Sequence, residues 1–386
     1  KGPLKITFFP VGKDDNILIR SSIDLTKADV YIPALALKKV RGKIGQVKLG
    51  FTKDNKSVFN YSQDDVLVSG TASHKSSFEI EKVKYSNIKT PDIIIERATF
   101  QKFGEYNQFK TDGGTISLEF LMRLSFKKKD IPLDFIFSDI VVTFKKNKFL
   151  DSIKGEIRSL EGLRGYAKAK LSLKSSLEII IDPNKNNGIN LVISGNNAGE
   201  LLRRGKYYNN GYGGIFKASI SYKNRMKISG SLQIEQFRIK NAPVLAQIIS
   251  SASIIGLLDN LNGNGLLFTK IEGSFDYKDG ELTLNDGVAV GPSLGLTMAG
   301  YERYGKKQNT VNVNGLVSPV YIINGVVKAI PLIGKVLGGE KGEGVFGVSY
   351  RVQGNSSNPR VLVNPLSILT PGLFRNIFNI EENGNK

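Results

Sequence analysis

Alternation of apolar and polar side chains with a period of two constrains this chain more than any other feature. Between residues 171 and 181, most positions of one parity are Leu or Ile, whereas Ser, Lys and Glu occupy most positions of the other. This alternation predicts a β-strand with one apolar and one polar face. The same pattern predicts further strands at 189–193, 215–222, 226–239, 266–277, 282–290, 311–317 and 345–352.

The first 150 or so residues follow the same rhythm of strand, turn and strand. Residues 118–126 alternate large apolar side chains with Glu119, Arg123 and Ser125, which predicts one more strand. Short helices are predicted at 34–40 and at 196–205. In the strand 226–239 the apolar parity changes after Ile234, which predicts a β-bulge at residues 235–236.

Short loops between successive strands predict an antiparallel meander with few crossover helices. About 20 strands in one sheet, at roughly 4.8 Å spacing, would extend on the order of 100 Å, so one expectation is an elongated sheet. The alternative is two stacked sandwiches, because their inner faces show the same alternation. Periodicity does not distinguish a sandwich core from an open apolar groove.

Three apolar segments interrupt the strand pattern and predict amphipathic helices near 243–260, 319–338 and 365–379. Each begins with an Asn or Ser before a Pro, a combination that suits a helix start because Asn and Ser cap free N–H groups and Pro fits the first turn. We expect these helices to pack on a sheet end, plug a groove or lie on a membrane surface.

The charge balance predicts anionic neighbours. The 386 residues include 54 Lys and Arg against 35 Asp and Glu, a net charge of +19. Lys and Arg fall mainly on the polar parity of the strands, which favours a solvated or head-group-facing surface over nucleic acid. No stretch of about 18 apolar residues is present to span a bilayer. The first residues lack an initiator Met and an apolar signal core, so we expect a piece of a longer protein, with an anchor or export signal before it.

No motif predicts catalysis, a metal site or a cofactor. Residues 291–295, Gly-Pro-Ser-Leu-Gly, match the nucleophile elbow of serine hydrolases, but that mechanism needs a later His, and the only His is His74. We expect a turn between strands there. With no Cys and one His, a metal site would need an all-oxygen cage, and no suitable spacing is present. The sequence therefore predicts a non-enzymatic protein.

Several ordered blocks in the second half of the chain resemble AsmA-like envelope proteins. The closest likeness is to YhdP-type members as they occur in alphaproteobacteria, and it covers roughly residues 195–380. The blocks that carry it are 197–202, 237–243, 256–259, 280–284, 291–296, 330–334, 342–346, 350–354, 358–359, 363–367 and 371–375.

This resemblance implies a periplasmic protein of the bridge-like lipid-transfer group that includes TamB. It would be anchored to the inner membrane by an N-terminal segment that this chain lacks. Such proteins build a long, curved β-sheet whose apolar concave face carries acyl chains while head groups face water. Phospholipids and a membrane surface are then the expected partners, with outer-membrane or other envelope proteins as further candidates, and nucleic acid is not expected.

The sequence and the resemblance together predict a mainly β fold, a curved antiparallel groove at 1–190 followed by an AsmA-like region at 191–386. The predicted function is transport of phospholipids between the inner and outer membranes along an apolar groove. The alternative is a periplasmic scaffold that assists outer-membrane protein assembly through its sheet edges. The predicted groove residues are Leu171, Leu173, Leu177, Ile179, Ile181, Ile228, Leu232 and Ile234. The predicted membrane or plug residues are Ile330, Leu332, Ile333, Val336 and Leu337.

Overall fold

The predicted fold class is confirmed by a computed structural model of the chain. It is mainly β, with 67% of residues in strands and 9% helical, and the described strand pairs are antiparallel with one parallel exception. The structure describes residues 2–11, 16–32, 37–76, 79–104, 106–123, 132–159, 162–184, 188–224, 227–254, 256–305, 307–319 and 347–364.

The chain divides into two compact units, Lys1–Ile189 and Asn190–Lys386. The boundary predicted from the sequence falls after residue 190. The described strands of the first unit are β1 (Lys5–Phe9), β2 (Ile17–Asp24), β3 (Val30–Ile32), β4 (Leu37–Lys39), β5 (Gln46–Thr52), β6 (Lys56–Gln63), β7 (Val66–Ser76), β8 (Glu79–Lys89), β9 (Ile93–Ile95), β10 (Ala98–Phe103), β11 (Tyr106–Ser117), β12 (Leu133–Phe144), β13 (Asn147–Arg158), β14 (Arg164–Lys170) and β15 (Ser176–Pro183).

Most neighbours in this unit are consecutive antiparallel strands, as short loops favour. β1 pairs with β2, β2 with β5, and pairing then continues from β5 to β8. β9 and β10 both lie between β8 and β11. The exception is the parallel pair of β11 and β12, with Asn107 opposite Leu133. A parallel pair needs a long crossover, and the connection from Ser117 to Leu133 contains the helix α1 (Leu118–Arg123).

The strand predicted at 118–126 is wrong over Leu118–Arg123, which form α1. The sequence Leu-Glu-Phe-Leu-Met-Arg consists largely of good helix formers. The Ser117 hydroxyl accepts a hydrogen bond from the Phe120 N–H at 3.1 Å, which satisfies a donor in the first turn. Local helix propensity and this cap therefore outweigh the alternating pattern. The helix predicted at 34–40 is also wrong where the structure describes it, because Leu37–Lys39 form β4 and pair with β3.

Six strands of the second unit correspond closely to predicted ones, and two, Leu294–Arg303 and Arg360–Asn364, were not predicted. In chain order these eight strands are β17 (Gly211–Asn224), β18 (Lys227–Ile239), β19 (Leu266–Lys278), β20 (Glu281–Val290), β21 (Leu294–Arg303), β22 (Thr310–Pro319), β23 (Val348–Asn355) and β24 (Arg360–Asn364). From β17 to β24 each strand pairs antiparallel with the next. A further strand, β16 (Ile189–Gly195), spans the boundary between the units.

The helix predicted at 196–205 is confirmed as α2 (Ala198–Arg204). Its Asn197 side chain accepts a hydrogen bond from the Glu200 N–H at 3.0 Å, which is a standard N-cap.

The helix predicted at 243–260 is present as two short helices, α3 (Pro243–Ser251) and α4 (Leu257–Asn262). The helix is interrupted between them because Ser253 and Gly256 take left-handed backbone conformations, with φ of 54° and 83°. Pro243 takes the predicted first-turn position, but the N-cap is Ala242 and no side chain caps the helix, so the predicted Asn241 cap is wrong.

The helix predicted from residue 319 does not begin there, because Ser318 and Pro319 complete β22. The rest of that segment, and the helix predicted at 365–379, lie outside the described residues.

The parity change predicted on β18 is confirmed, whereas the bulge is wrong. Glu235 and Gln236 are both exposed between the buried side chains of Ile234 and Phe237. The pairing of β18 with β17 and with β19 continues through these residues without a register shift. Instead, Gln236 takes the left-handed conformation with φ 56°, which turns the following side chains over without adding a residue.

Candidate functional site

The sheet of the first unit has one apolar face, which we call the first apolar face. Directly paired residues on neighbouring strands point to the same side. Following these pairs from β2 to β9 gives an unbroken apolar row, Ile23, Val47, Tyr61, Val68, Ile88 and Ile95. A second row crosses β10 to β13 on the same side, with Phe100, Phe109, Phe135 and Ile157. The face therefore extends across most strands of the unit.

Five aromatic residues form a line of contacts on this face. The ring centroids of Phe59 and Tyr85 are 5.9 Å apart, those of Tyr85 and Phe109 6.1 Å, and those of Phe109 and Phe135 5.6 Å. Phe135 then stacks on Phe137 at 5.1 Å. All except Phe137 are half-buried, so the line forms a surface that solvent or a ligand can reach. Burial raises the pKa of the Tyr85 phenol, which indicates apolar surroundings.

Small residues between the rings make this line possible. Gly70 on β7 lies between Phe59 and Tyr85 in the register, and Ala98 on β10 is the partner of Tyr85 on the other side. A Cβ atom on Gly70 would lie 2.3 Å from the Lys84 carbonyl oxygen and 3.0 Å from the Phe59 ring. The strand can therefore carry only glycine here without a shift of the backbone.

The opposite face of the first unit is mainly polar. Lys48, Lys84, Lys110 and Lys154 are exposed at positions that alternate with the apolar side chains of their strands. Lys168 on β14 pairs with Glu178 on β15, with 2.9 Å between Nζ and Oε1. The sheet therefore separates an apolar surface from a charged one, as an antiparallel sheet with one wetted face does.

Three predicted groove residues lie on the first apolar face. Leu177, Ile179 and Ile181 follow one another along β15, opposite Ala169, Ala167 and Gly165 on β14. Leu177 is buried, whereas Ile179 and Ile181 are half-buried. Ile181 continues the second row through Ile157 and Gly165, and Leu177 and Ile179 lie on the same face.

Leu171 and Leu173 do not belong to a strand, so the single strand predicted at 171–181 is wrong over its first part. The Leu171 N–H donates to the Ser175 carbonyl at 2.8 Å, and this bond closes a bend between β14 and β15. Leu171 is fully buried beneath the bend, and Leu173 is fully exposed at its tip. Leu173 therefore contributes nothing to the apolar face.

The second unit has its own apolar face, which we call the second apolar face. One row crosses it from β17 to β23, through Phe216, Ile234, Ile271, Ala289, Leu296, Val317 and Val348. The predicted groove residues Ile228, Leu232 and Ile234 all lie on this face. Ile234 is buried, while Ile228 and Leu232 are half-buried. The eight predicted residues are thus divided between two units.

Helices α3 and α4 cover one end of the second apolar face. Ile249 and Leu261 are fully buried against Phe268, Leu294 and Val317. Toward the other end, the side chains on the same face are only half-buried: Leu232, Phe275, Leu284, Met298 and Val313. The face is therefore sealed at one end and more accessible at the other.

Tyr350 marks the sealed end. Its hydroxyl donates to the Thr297 carbonyl at 2.8 Å, across β22, where Gly315 leaves room for the ring. Burial raises the pKa of this phenol well above its ordinary value.

The residues that resembled a nucleophile elbow form the expected turn. They join β20 to β21, and the Gly291 N–H donates to the Leu294 carbonyl at 2.9 Å. His74 lies on β7 in the other unit, where its Nε2 is 2.9 Å from the Ser57 hydroxyl. Among the described residues, no group of three or more His, Cys, Asp or Glu is arranged to hold a metal ion.

The predicted membrane or plug residues Ile330, Leu332, Ile333, Val336 and Leu337 lie outside the described residues. None of the described helices combines the length and hydropathy needed to cross a membrane.

The aromatic line was missed by sequence reasoning. A usable indication was present, because Phe59 and Tyr61, Phe109 and Phe135 each fall on the apolar parity of an alternating run.

No protein-family model matches the chain, and neither a curated protein nor a solved structure does. The two apolar faces and the side chains around them are therefore the features from which a function can be inferred.

Proposed function

We propose that this protein binds phospholipids by their acyl chains and carries them between the inner and outer membranes along its apolar faces, without catalysing a reaction. The observation that carries the proposal is the first apolar face, where a line of half-buried rings crosses one side of a sheet whose other side is charged. The resemblance to AsmA-like envelope proteins supports the same proposal and a periplasmic, inner-membrane-anchored location.

Moving an acyl chain through water has a large free-energy cost. Each CH₂ group that leaves an apolar environment for water costs about 0.8 kcal/mol. A surface that keeps the chain covered at every position removes most of that barrier. The half-buried side chains Phe59, Phe109, Phe135, Ile157 and Ile179 present such a surface across successive strands. The net charge of +19 favours anionic head groups near the protein.

Lipid extraction from the purified protein, followed by native mass spectrometry, tests the proposal. The informative variant places Asn at Phe135 and Ile179, both on the first apolar face. Its matched control places Asn at Tyr166 and Ile180, which are 43% and 42% exposed, are directly paired, and lie on the polar face. Both variants lose one aromatic and one aliphatic side chain.

We expect the parent and the control to retain phospholipid, and the Phe135→Asn, Ile179→Asn variant to retain several-fold less while its thermal transition stays cooperative. A parent without phospholipid after mild purification contradicts the proposal. So does a folded apolar-face variant that retains as much lipid as the parent.

A second function, strand addition to a partner in outer-membrane protein assembly, is favoured by one observation. All five residues of β1 are exposed, with Phe8 at 69%, and within the described residues β1 pairs on one side only, with β2. An exposed apolar edge strand is a template for another strand. This function predicts a stoichiometric complex with a purified outer-membrane barrel protein that Phe8→Lys abolishes. The lipid proposal predicts that Phe8→Lys leaves the phospholipid content unchanged.

A further inference from the structure

Cationic side chains gather around Tyr212 in the second unit, away from the residues that the sequence selected. The Arg203 guanidinium carbon lies 5.4 Å from the centroid of the Tyr212 ring, and the Lys240 Nζ lies 5.7 Å from it. Arg238 is the direct cross-strand partner of Tyr212. We call Arg203, Tyr212, Arg238 and Lys240 the cationic cluster. It brings together the end of α2, the start of β17 and the end of β18.

The cluster is held in place by hydrogen bonds to the backbone. Arg203 Nη1 donates to the Gly211 carbonyl, and Arg238 Nη1 donates to the Asn264 and Gly265 carbonyls at 3.2 and 3.1 Å. Lys240 is fixed through its own backbone, because its carbonyl accepts a hydrogen bond from the Tyr208 hydroxyl at 2.7 Å. These contacts position the cations before any ligand binds, which lowers the entropic cost of binding.

Gly265 lets two of the cationic side chains pack side by side. A Cβ atom at Gly265 would lie 2.6 Å from Lys240 Cγ and 3.1 Å from Arg238 Cγ. Gly265 also has φ 82°, a conformation that disfavours other residues. Glycine at position 265 therefore leaves room for the aliphatic stems of both side chains.

Among the described residues, no carboxylate forms an ion pair with the cations of this cluster. Within the described residues, neither Arg203 nor Lys240 forms an ion pair, and the nearby Glu200 pairs with Arg204 at 3.4 Å. Arg203 and Lys240 lie against the same ring, and an anion with several oxygen atoms offers acceptors to both. Phosphate suits the site because guanidinium and ammonium groups both donate to its oxygens.

The cluster is next to the second apolar face. Along β18, Arg238 lies between Phe237 and Ile239, whose side chains point to the opposite side of the sheet. Phe237 is buried beneath α2, where its ring lies close to Gly211 and Gly214. Because α2, α3 and α4 cover the apolar side at this end, an amphiphile bound here would place its anionic group at the rim and its chain outside the sealed part of that face.

We propose that the cationic cluster binds the phosphate group of an anionic phospholipid, an inference that rests on the proposed function and specifies its ligand. The cluster recognises a phosphate ester that belongs to a lipid head group. Soluble phosphate esters are the alternative ligands that the test distinguishes.

The test compares the parent with a variant carrying Arg203→Gln and Lys240→Gln. The probes are phosphatidylglycerol vesicles, phosphatidylcholine vesicles and soluble glycerol 3-phosphate. A matched control carries Lys217→Gln and Lys227→Gln, two exposed lysines on the same pair of strands. We expect the cluster variant to bind phosphatidylglycerol vesicles about tenfold or more weakly at near-physiological salt, because two charge-assisted hydrogen bonds are lost. The control should stay within about twofold of the parent, since it changes net charge alone.

If the cluster variant and the control bind phosphatidylglycerol vesicles equally weakly, net charge alone explains the binding and the proposed site is wrong. If the parent binds glycerol 3-phosphate and the cluster variant binds vesicles as well as the parent does, the ligand is a soluble phosphate ester and not a lipid. Phospholipid extracted from the same samples separates this inference from the proposed function. If the parent retains lipid and the cluster variant retains the same amount of anionic lipid, this inference alone fails; if the parent retains none, the proposed function fails.

Discussion

The rings of Phe59 and Tyr85 meet edge to face, with centroids 5.9 Å apart, although a whole strand lies between the strands that carry them. That strand, β7, contributes only Gly70 at this level. The contact shows how a continuous apolar face is built: large residues on some strands reach over small residues on the strands between.

Replacing Gly70 with Ala should destabilise the first unit by about 1–3 kcal/mol, because the new Cβ overlaps a backbone oxygen that moves only with its strand. Urea unfolding measures the change. Gly50→Ala is the matched control, since its nearest contacts would be ordinary ones at 3.6 Å, and it should stay within about 0.5 kcal/mol of the parent. Equal losses in the two variants would show that Gly70 is not specially constrained.

Because the Tyr350 phenol is buried, we expect the folded protein to lose stability at high pH. Its pKa is raised in the folded protein by burial, so above the ordinary tyrosine value of about 10 the unfolded chain ionises first and the folded one does not. The unfolded state then binds fewer protons, and the free energy of unfolding falls by up to about 1.4 kcal/mol per pH unit from this group.

Tyr350→Phe should therefore lose less stability between pH 10 and 12 than the parent does. At neutral pH the same variant should be about 1 kcal/mol less stable, because the hydrogen bond to the Thr297 carbonyl is gone. Denaturant unfolding of both proteins at several pH values measures the two effects. Parallel pH profiles would contradict burial of the phenol, since the other tyrosines are common to both proteins.

Asn197→Ala should destabilise α2 by about 1 kcal/mol, because it removes the side-chain acceptor of the Glu200 N–H. Faster hydrogen exchange of the amides in Ala198–Arg204 is the direct measurement. Asn209→Ala, at an exposed position after the helix, should leave those exchange rates unchanged. Unchanged exchange in both variants would mean that tertiary contacts alone hold the helix.

The sequence predicted the fold class and most strands of the second unit because their alternation is long and their turns are short. It located α2, whose first turn is capped by Asn197 in the structure. It failed at Leu118–Arg123, where six residues alternate like a strand but a serine cap and helix formers decide the structure. It also failed at Leu173, because a four-residue bend resembles the middle of a strand when only parity is read.

The sequence predicted that the candidate site is an apolar face of a sheet, but it predicted only some of the residues on that face. Parity identifies which side chains share a face of one strand, and on that basis Leu177, Ile179, Ile228, Leu232 and Ile234 were placed on apolar faces. Parity gives no register between strands, so the contact of Phe59 with Tyr85 was not visible. The cationic cluster was hidden for the same reason, since Arg203, Tyr212 and Lys240 come from three separate elements.

Site-specific photo-crosslinking tests the central claim, that acyl chains lie on the first apolar face, most directly. Benzoylphenylalanine would replace Phe109 on the apolar face in one protein and Tyr166, 43% exposed on the polar face, in another. After irradiation in cells and purification, mass spectrometry would measure the phospholipid adducts. The account predicts adducts at position 109 and essentially none at position 166. Equal adduct yields at the two positions, or none at either from folded protein, would contradict it.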